Sequence, residues 1–160
     1  LIFEHKKLYR LLKAPVKFNP DYRKVWQPAQ RRLGAFATVV TYGEMTLWTC
    51  EALDYLKEEY KLECDLFDLR ALAPLNLDRI RESVSKTGRL VVVHESRRNL
   101  GFGAELVSRI AEKQFFDLEA PPLRIASQDM PIPFAPELEA GFRPDTNKIL
   151  NTLIDWIETD

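Results

Sequence analysis

Four short apolar runs, separated by segments of helical periodicity, constrain the fold of this chain more than any other feature. The runs cover residues 35–42, 62–69, 89–94 and 123–127. They are unbroken rather than alternating and rich in β-branched residues, as expected for strands buried on both faces of a sheet. Because parallel strands need helical crossover connections, the pattern predicts a three-layer α/β/α domain with a mostly parallel sheet of four or five strands.

Capping residues mark the limits of the helices between these runs. Asn76 is a candidate N-cap, and Gly88 suits the left-handed position that ends a helix. Asp145 is a candidate N-cap for the last helix, which follows a proline-rich stretch over residues 129–144. On the helix that follows Gly43, the predicted apolar face consists of Met45, Trp48, Ala52, Tyr55 and Leu56.

Charge is divided unevenly along the chain. Of the 160 residues, 23 are Lys or Arg and 24 are Asp or Glu, so the net charge of -1 excludes a chain-wide electrostatic nucleic-acid binder. Residues 1–33 hold nine basic and two acidic side chains, a charge of +7, whereas residues 34–160 hold fourteen and twenty-two, a charge of -8. The basic segment is therefore suited to contact its own acidic body, a protein partner or a nucleic acid.

Three prolines, Pro15, Pro20 and Pro28, interrupt this basic segment and disfavour both helix and sheet. We therefore predict that residues 1–34 form an irregular interdomain linker arm and that residues 35–160 form the α/β domain. The aromatic side chains of the arm need a surface to lie on, and they are Phe18, Tyr22 and Trp26. Packing on the protein itself is favoured over the stacking of bases, so no nucleic-acid partner is expected.

Cysteine usage and hydropathy limit the class of protein. Cys50 and Cys64 are too few for a disulfide framework, which points to a reducing compartment. No Cys or His cluster has metal-ligand spacing, and no run of about 18 apolar residues occurs, so neither a metal site nor a membrane partner is expected. The chain opens at Leu1 in what reads as the middle of an element, which suggests a piece of a longer protein.

A Gly-x-Gly motif at Gly101 and Gly103 lies between the third predicted strand and the next helix. A dinucleotide site needs a third glycine, but Leu106 stands there, and six residues separate the strand from the motif. The glycines are instead predicted to permit a turn that brings a helix end close to neighbouring backbone. His94 ends the strand, and because no nucleophile motif accompanies it, we expect a hydrogen-bonded structural histidine.

A series of landmarks in fixed order resembles one known family. They are Tyr42-Gly43, DLRALAPL at 68–75, SVSKTGRLVVVHE at 83–95, GFGAE at 101–105, EAP at 119–121, DMPIP at 129–133 and Pro144-Asp145. The chain closely resembles the C-terminal, transketolase-type domain of the β part of thiamine-diphosphate-dependent 2-oxoacid dehydrogenases. Residues 86–89 and 94–95 look more like the branched-chain members than the pyruvate or acetoin members.

The resemblance implies a parent enzyme that decarboxylates a 2-oxoacid oxidatively and transfers the acyl group to a lipoyl group on a partner acyltransferase. Thiamine diphosphate supplies the carbanion chemistry. In such enzymes the diphosphate and Mg2+ sit on the α part, and the pyrimidine sits on the domain that precedes this one. The resemblance therefore assigns no catalytic, cofactor-binding or metal-binding residue to this fragment, which is expected to be inactive alone. It also implies a homo- or hetero-oligomer in the cytoplasm, or in the mitochondrial matrix of a eukaryote.

Subunit assembly and docking of the acyltransferase are the roles that the resemblance implies for this domain. From charge and loop position, the candidate partner or interface residues are His94, Glu95, Arg97, Arg98, Phe102, Asp155, Glu158 and Asp160. Two alternatives of other classes remain. One is a stand-alone α/β ligand-binding module that uses the loop after His94, and the other is a nucleic-acid module that uses the basic arm.

Overall fold

A five-stranded sheet forms the centre of the chain in a computed structural model that describes residues 1–13, 15 and 25–159. The strands are β1 (Ala29–Arg32), β2 (Thr38–Thr41), β3 (Asp65–Asp68), β4 (Leu90–Arg97) and β5 (Leu123–Ser127). Their order across the sheet is β1-β3-β2-β4-β5. Strands β2 to β5 are parallel, and β1 runs antiparallel to β3. The predicted α/β class with a mostly parallel sheet is therefore confirmed.

Helices cover both faces of this sheet. They are α1 (Leu8–Leu11), α2 (Met45–Tyr60), α3 (Asp78–Thr87), α4 (Phe102–Gln114), α5 (Pro136–Phe142) and α6 (Thr146–Thr159), with a 3-10 turn at Phe115–Asp117. Helices α2 and α6 pack together on one face, while α3 and α4 pack on the other. Over the described ranges, no helix combines the length and the apolar character needed to cross a membrane.

Two hydrophobic cores result, one on each side of the sheet, because neighbouring residues of a strand point to opposite faces. Val39 and Val91 belong to the core beneath α2 and α6, whereas Val40 and Val92 belong to the core beneath α3 and α4. All four side chains are buried. The unbroken apolar runs of the sequence thus supply both cores from the same strands.

Asp65 is a buried carboxylate at the amino end of β3. Its Oδ1 accepts a hydrogen bond from the Gly34 backbone N–H at 2.9 Å, its Oδ2 accepts one from Ser83 Oγ at 2.6 Å, and Lys86 forms an ion pair with Oδ2. Burial raises the pKa of Asp65, but Lys86, Ser83 and the Gly34 N–H together outweigh burial, so the net pKa is lowered. The carboxylate therefore joins the start of β3 to α3 and to the chain before β2.

Thr38 makes a second polar connection at the same end of the sheet. Its Oγ1 lies 2.6 Å from Ser83 Oγ and 2.8 Å from Thr87 Oγ1, and all three hydroxyls are buried. Buried hydroxyls need such partners because an unpaired one carries a full desolvation cost. The amino end of β2 is thereby tied to α3.

Two of the three predicted caps are confirmed. Gly88 adopts a left-handed φ of 65° after α3, and the Lys148 N–H donates to Asp145 Oδ1 at 2.7 Å at the start of α6. The predicted N-cap at Asn76 is wrong by one residue, because Leu77 occupies that position. Asn76 nevertheless accepts a hydrogen bond from the Asp78 N–H at 3.0 Å, which satisfies the first N–H of α3.

The structure differs from the predicted irregular arm at two places. Leu8–Leu11 form a helical turn, and Ala29–Arg32 form an edge strand in which Ala29 pairs with Asp68. The strand was missed because its sequence, AQRR, has little β propensity and follows Pro28, which an edge strand tolerates at its start. Phe18 and Tyr22 lie outside the described residues. The linker role of residues 1–34 stays a prediction.

Two further differences concern helices. Tyr55, predicted for the apolar face of α2, is 53% exposed, while Thr49 and Leu53 are buried there. Helix α5 forms inside the proline-rich stretch over residues 129–144, for which no helix was predicted, because Pro136 occupies its first turn, where the missing N–H has no helical partner to lose.

Candidate functional site

An ion cluster lies at the carboxyl edge of the sheet, where the residue after the β2 turn and the last part of β4 meet the N-terminal arm. Glu44 follows β2 and is fully buried. Lys7 Nζ lies 2.6 Å from Glu44 Oε1, and Arg143 Nη1 lies 2.7 Å from Glu44 Oε2. His5 Nε2 lies 3.4 Å from Glu44 Oε2 and 3.1 Å from Glu95 Oε2. The cluster thus attaches the arm to the carboxyl edge.

The electrostatics of the cluster favour an ionised Glu44. Burial raises the pKa of this carboxyl, but Lys7 and Arg143 together outweigh burial and lower the net pKa. A buried carboxylate of this kind needs its partners, because removing them would leave an uncompensated charge.

The ion cluster also contains side chains of the types that can bind a divalent cation. Potential ligand atoms of His5, Glu44 and Glu95 all lie within 4.8 Å of one another. Lys7 and Arg143 already neutralise these carboxylates, so a divalent ion would meet two fixed positive charges. The donor set fits an internal ion-pair network and does not fit the Mg2+ that accompanies thiamine diphosphate.

His94 lies beside this cluster in an aromatic niche within β4, which continues to Arg97 and does not end at His94 as predicted. Its side chain is fully buried, and burial lowers its pKa, which favours the neutral ring at physiological pH. Ser96 Oγ lies 2.7 Å from His94 Nδ1. The Tyr42 ring stacks on His94 at a centroid distance of 6.3 Å, and Phe102 meets the edge of Tyr42 at 5.9 Å.

Gly101 and Gly103 let the start of α4 approach this histidine. A Cβ on Gly103 would lie 2.5 Å from His94 Cδ2 and would also collide with Nε2. A Cβ on Gly101 would lie 2.7 Å from His94 Cε1 and would collide with the Arg97 carbonyl oxygen. The Gly-x-Gly motif is therefore explained by close packing of helix on strand, as predicted.

The structure separates the predicted interface residues of the β4 loop into three kinds. Arg97 and Arg98 are exposed, whereas Glu95 is half-exposed and already paired with His5. Phe102 is half-buried against Tyr42. His94 has no exposed surface, so it supports the loop from beneath and cannot touch a partner directly.

The predicted acidic set lies on α6. Asp155 and Glu158 are exposed near the end of this helix, and Asp160 lies outside the described residues. Helix α6 starts close to the carboxyl edge, where Arg143 contacts Glu44, and its 14 residues extend over about 21 Å. Its acidic end therefore lies toward the opposite edge from Arg97, and the two predicted sets do not form one site.

Sequence reasoning missed the ion cluster as a whole. Glu44 and Arg143 are 99 positions apart, and His5 and Glu95 are 90 apart, so no local spacing points to their contact. The sequence offered one signal for this cluster: Glu44 is an acidic residue that directly follows a predicted strand and Gly43.

A sequence profile of the transketolase C-terminal domain matches residues 28–149. This chain belongs to that family. The match to the transketolase C-terminal domain begins one residue before β1, so it includes the edge strand that was assigned to the arm.

Curated relatives of this transketolase C-terminal domain are β subunits of 2-oxoacid dehydrogenases. It is 47% identical over 128 residues to the 2-oxoisovalerate dehydrogenase subunit beta of Pseudomonas aeruginosa, covering 78% of this chain and 35% of that protein. It is 42% identical over 121 residues to the 3-methyl-2-oxobutanoate dehydrogenase subunit beta of Mycobacterium tuberculosis, covering 76% of this chain and 34% of that protein. It is 33% identical over 152 residues to the pyruvate dehydrogenase E1 component subunit beta of Bacillus subtilis, covering 95% and 46%.

A solved structure gives independent support for the fold. A chain described as a split-gene transketolase, inactive beta4 tetramer, superposes with a TM-score of 0.70 at 21% identity, covering 90% of this chain and 46% of that one. The present chain therefore spans between about a third and a half of the length of the proteins it matches.

Proposed function

We propose that this chain is the C-terminal assembly and partner-docking domain of a 2-oxoacid dehydrogenase, with branched-chain 2-oxoacids as the substrate class. The observation that carries the proposal is the match over residues 28–149 together with 47% identity to a 2-oxoisovalerate dehydrogenase β subunit. The buried carboxylates Glu44 and Asp65 are committed to internal ion pairs, which agrees with a domain whose own residues do not carry out the chemistry.

The parent enzyme on this proposal uses thiamine diphosphate and Mg2+, held by the α part and by the preceding pyrimidine-binding domain. The cofactor supplies the carbanion chemistry of decarboxylation. The acyl group passes to a lipoyl group on the partner acyltransferase. This domain joins the assembly, in the cytoplasm or the mitochondrial matrix, and the 160 residues alone are inactive.

Pyruvate is the second candidate substrate. A pyruvate dehydrogenase β subunit aligns with 95% of this chain, whereas the 2-oxoisovalerate relative from Pseudomonas aeruginosa aligns with 78%. The identity is lower, 33% against 47%, which favours the branched-chain substrate.

The stand-alone ligand-binding alternative has less support. The described residues enclose one open cavity of about 540 Å³, beside Trp26 and Arg81, and one of about 210 Å³, beside Arg32. Residues 95–101, which that alternative requires, line neither cavity.

Reconstitution tests the activity. The chain extended to include a pyrimidine-binding domain is combined with an α part, and decarboxylation of 3-methyl-2-oxobutanoate and of pyruvate is measured with and without residues 28–160. We expect turnover of the branched acid in the assembly and none with the 160 residues alone. Turnover by the isolated chain, or full activity after the deletion, would contradict the proposal.

Docking is tested separately by capture of the acyltransferase's small subunit-binding domain. Charge reversal of Asp155 and Glu158 on α6 and of Arg97 and Arg98 after β4 is made in separate variants, with Glu112→Lys on α4 as a matched control. We expect the variant whose altered residues contact the partner to lose capture of the subunit-binding domain, while the Glu112→Lys control retains it. Unchanged capture by both variants would remove both sets from the docking surface.

A further inference from the structure

The cavity of about 540 Å³ opens beside the first turns of α3. Its walls come from the segment before β1, from the loop before α3, and from side chains of α3 and α4. Cavities that hold small organic ligands measure about 300–1,000 Å³, so this one is large enough for such a ligand. The lining residues that carry charge or a large ring are Trp26, Asp78, Arg81 and Arg109.

Hydrogen bonds hold two walls of this cavity in place. Arg70 donates to the Gln27 carbonyl oxygen from Nε at 3.0 Å and from Nη2 at 2.7 Å, which joins the segment before β1 to the chain after β3. The Asp78 N–H donates to Asn76 Oδ1 at 3.0 Å, which joins the loop to α3. Because these walls are already positioned, little ordering is needed when a ligand enters.

Two side chains of opposite charge on α3 line the cavity without pairing. Asp78 and Arg81 are three positions apart, yet within residues 1–13, 15 and 25–159 neither side chain has an ion pair or a hydrogen bond. Arg81 is partly buried, and its Nε is enclosed without an acceptor. A buried donor of this kind carries a desolvation cost that an anion in the cavity would offset.

Arg109 brings a second guanidinium to the cavity from α4. Its Nε donates to Glu105 Oε1 at 2.6 Å, and both side chains are about half exposed, so the pair is weak. Only Nε takes part in this hydrogen bond, which leaves the two Nη groups for another acceptor. Arginine guanidiniums bind phosphate oxygens through paired, charge-assisted hydrogen bonds. Arg81 and Arg109 together therefore suit a phosphate group.

Trp26 provides a flat aromatic surface on the wall before β1. The residue is 52% exposed, and in the part of the chain that the structure describes no aromatic ring or cation stacks on its indole. The bases of nucleotides stack on exposed aromatic rings of this kind. The cavity thus offers a stacking surface in addition to its charges.

We propose that this cavity binds a nucleoside monophosphate. The phosphate pairs with Arg81 and Arg109, the ribose hydroxyls donate to the Asp78 carboxylate, and the base stacks on Trp26. Free phosphate would leave the indole and the carboxylate unused, and an apolar ligand would leave both guanidiniums unpaired. The inference goes beyond the proposed function, because neither assembly nor docking requires a ligand in this cavity.

Calorimetric titration of the 160-residue chain with AMP tests the site. This chain is suitable because the proposed thiamine diphosphate site lies outside it, so AMP cannot bind there instead. We expect a dissociation constant below about 0.2 mM for AMP, and at least about tenfold weaker binding of adenosine and of inorganic phosphate, since each makes only part of the contacts. Weaker binding of AMP would overturn the proposal, as would adenosine or phosphate that binds as tightly as AMP.

Substitutions assign the binding to this cavity. Arg81→Gln and Trp26→Leu should each weaken AMP binding at least about tenfold, because the first removes a charged contact and the second removes the stacking surface. Arg109→Gln, at an exposed position, should weaken it without affecting the circular dichroism spectrum. The matched control is Lys113→Gln, which removes a positive charge one turn further along α4 from an exposed side chain outside the cavity lining. Unchanged binding by the first three variants, or an equal loss in the control, would contradict this site.

The role of Asp78 is tested by changing the ligand as well as the protein. An AMP analogue that lacks both ribose hydroxyls should bind the wild type at least about threefold more weakly than AMP does. Asp78→Ala should abolish this difference, because the hydroxyls then have no carboxylate to donate to. A difference of the same size in both proteins would remove Asp78 from the site.

Discussion

Gly103 shows how a single missing Cβ decides whether α4 can close over the aromatic niche. The backbone of Gly103 lies so near His94 that a methyl group has no room, and the His94 ring is itself stacked on Tyr42. We expect Gly103→Ala to destabilise the chain by about 1–3 kcal/mol, because a well-packed site must shift to accept the extra carbon. Urea denaturation measures the loss.

The control for this substitution is Gly141→Ala on α5. A Cβ there meets nothing within 4 Å, and alanine favours a helix over glycine by up to about 1 kcal/mol. The control should be neutral or stabilising. Equal destabilisation by both substitutions would mean that crowding at His94 is not the cause.

Asp65 sets a pH dependence at the residue scale. Because its folded pKa is lowered, its contribution to stability is present above the pKa of the unfolded carboxyl, about 3.9, and is lost as the pH falls through the folded pKa. Asp65→Asn should therefore cost about 1–3 kcal/mol at pH 7, and the gap to the wild type should narrow below about pH 4.

Asp54→Asn is the matched control for this pH series. The Asp54 side chain is 55% exposed and pairs with Arg32 at 2.6 Å, and an exposed pair contributes about 0–1 kcal/mol. Unfolding free energies measured from pH 3 to 7 should show a larger loss of stability for Asp65→Asn than for Asp54→Asn at neutral pH. A constant gap for Asp65→Asn across this range would show that its ionisation does not stabilise the fold.

At the scale of elements, the pairing of β1 with β3 leads us to expect that the folded unit begins before the predicted boundary at residue 35. It covers the edge of β3, and its side chains make three connections to the body: Gln30 with Asp65, Arg31 with Asp68 and Arg32 with Asp54. We expect a chain that starts at residue 28 to fold, and one that starts at residue 35 to aggregate or unfold at lower denaturant concentration, because the edge of β3 is exposed. Circular dichroism and light scattering distinguish the two shortened chains. Equal stability of both would support the predicted start of the α/β domain at residue 35.

The elements also show which structure local sequence can predict. The parallel strands and the caps at Gly88 and Asp145 carry their own signals, namely β-branched runs and residues that favour one backbone conformation or one hydrogen bond. The edge strand β1 carries no such signal in its sequence, since a strand at the edge of the sheet needs no buried apolar face. The ion cluster around Glu44 could not be predicted because its partners come from three distant segments, and their proximity depends on the finished fold.

At the scale of the whole molecule, the two cores should unfold together. They share the strands β2, β3 and β4, so neither can lose its packing while the other keeps it. We expect Val91→Ala, in the core beneath α2, and Val92→Ala, in the core beneath α3, each to lower stability by about 1–3 kcal/mol in one shared transition.

Tryptophan fluorescence and circular dichroism test this cooperativity. Trp48 and Trp156 pack against the core beneath α2 and α6, so fluorescence measured in a Trp26→Phe background reports one side of the sheet, whereas circular dichroism reports helices on both sides. Coincident transitions are expected in the wild type and in both variants. Two separated transitions would mean that the layers are independent units.

The pair of apolar faces has a consequence for strand alignment. If β2 slipped by one residue, Val39 and Val40 would exchange faces and both would stay buried, so hydrophobicity alone does not fix the register. The slip would, however, pull Thr38 away from Ser83 and Thr87 and leave the buried Thr38 hydroxyl without its two partners. The register of the strands is thus set by a few hydroxyls and one carboxylate at their amino ends. The valines stabilise the sheet by burial but do not select one register.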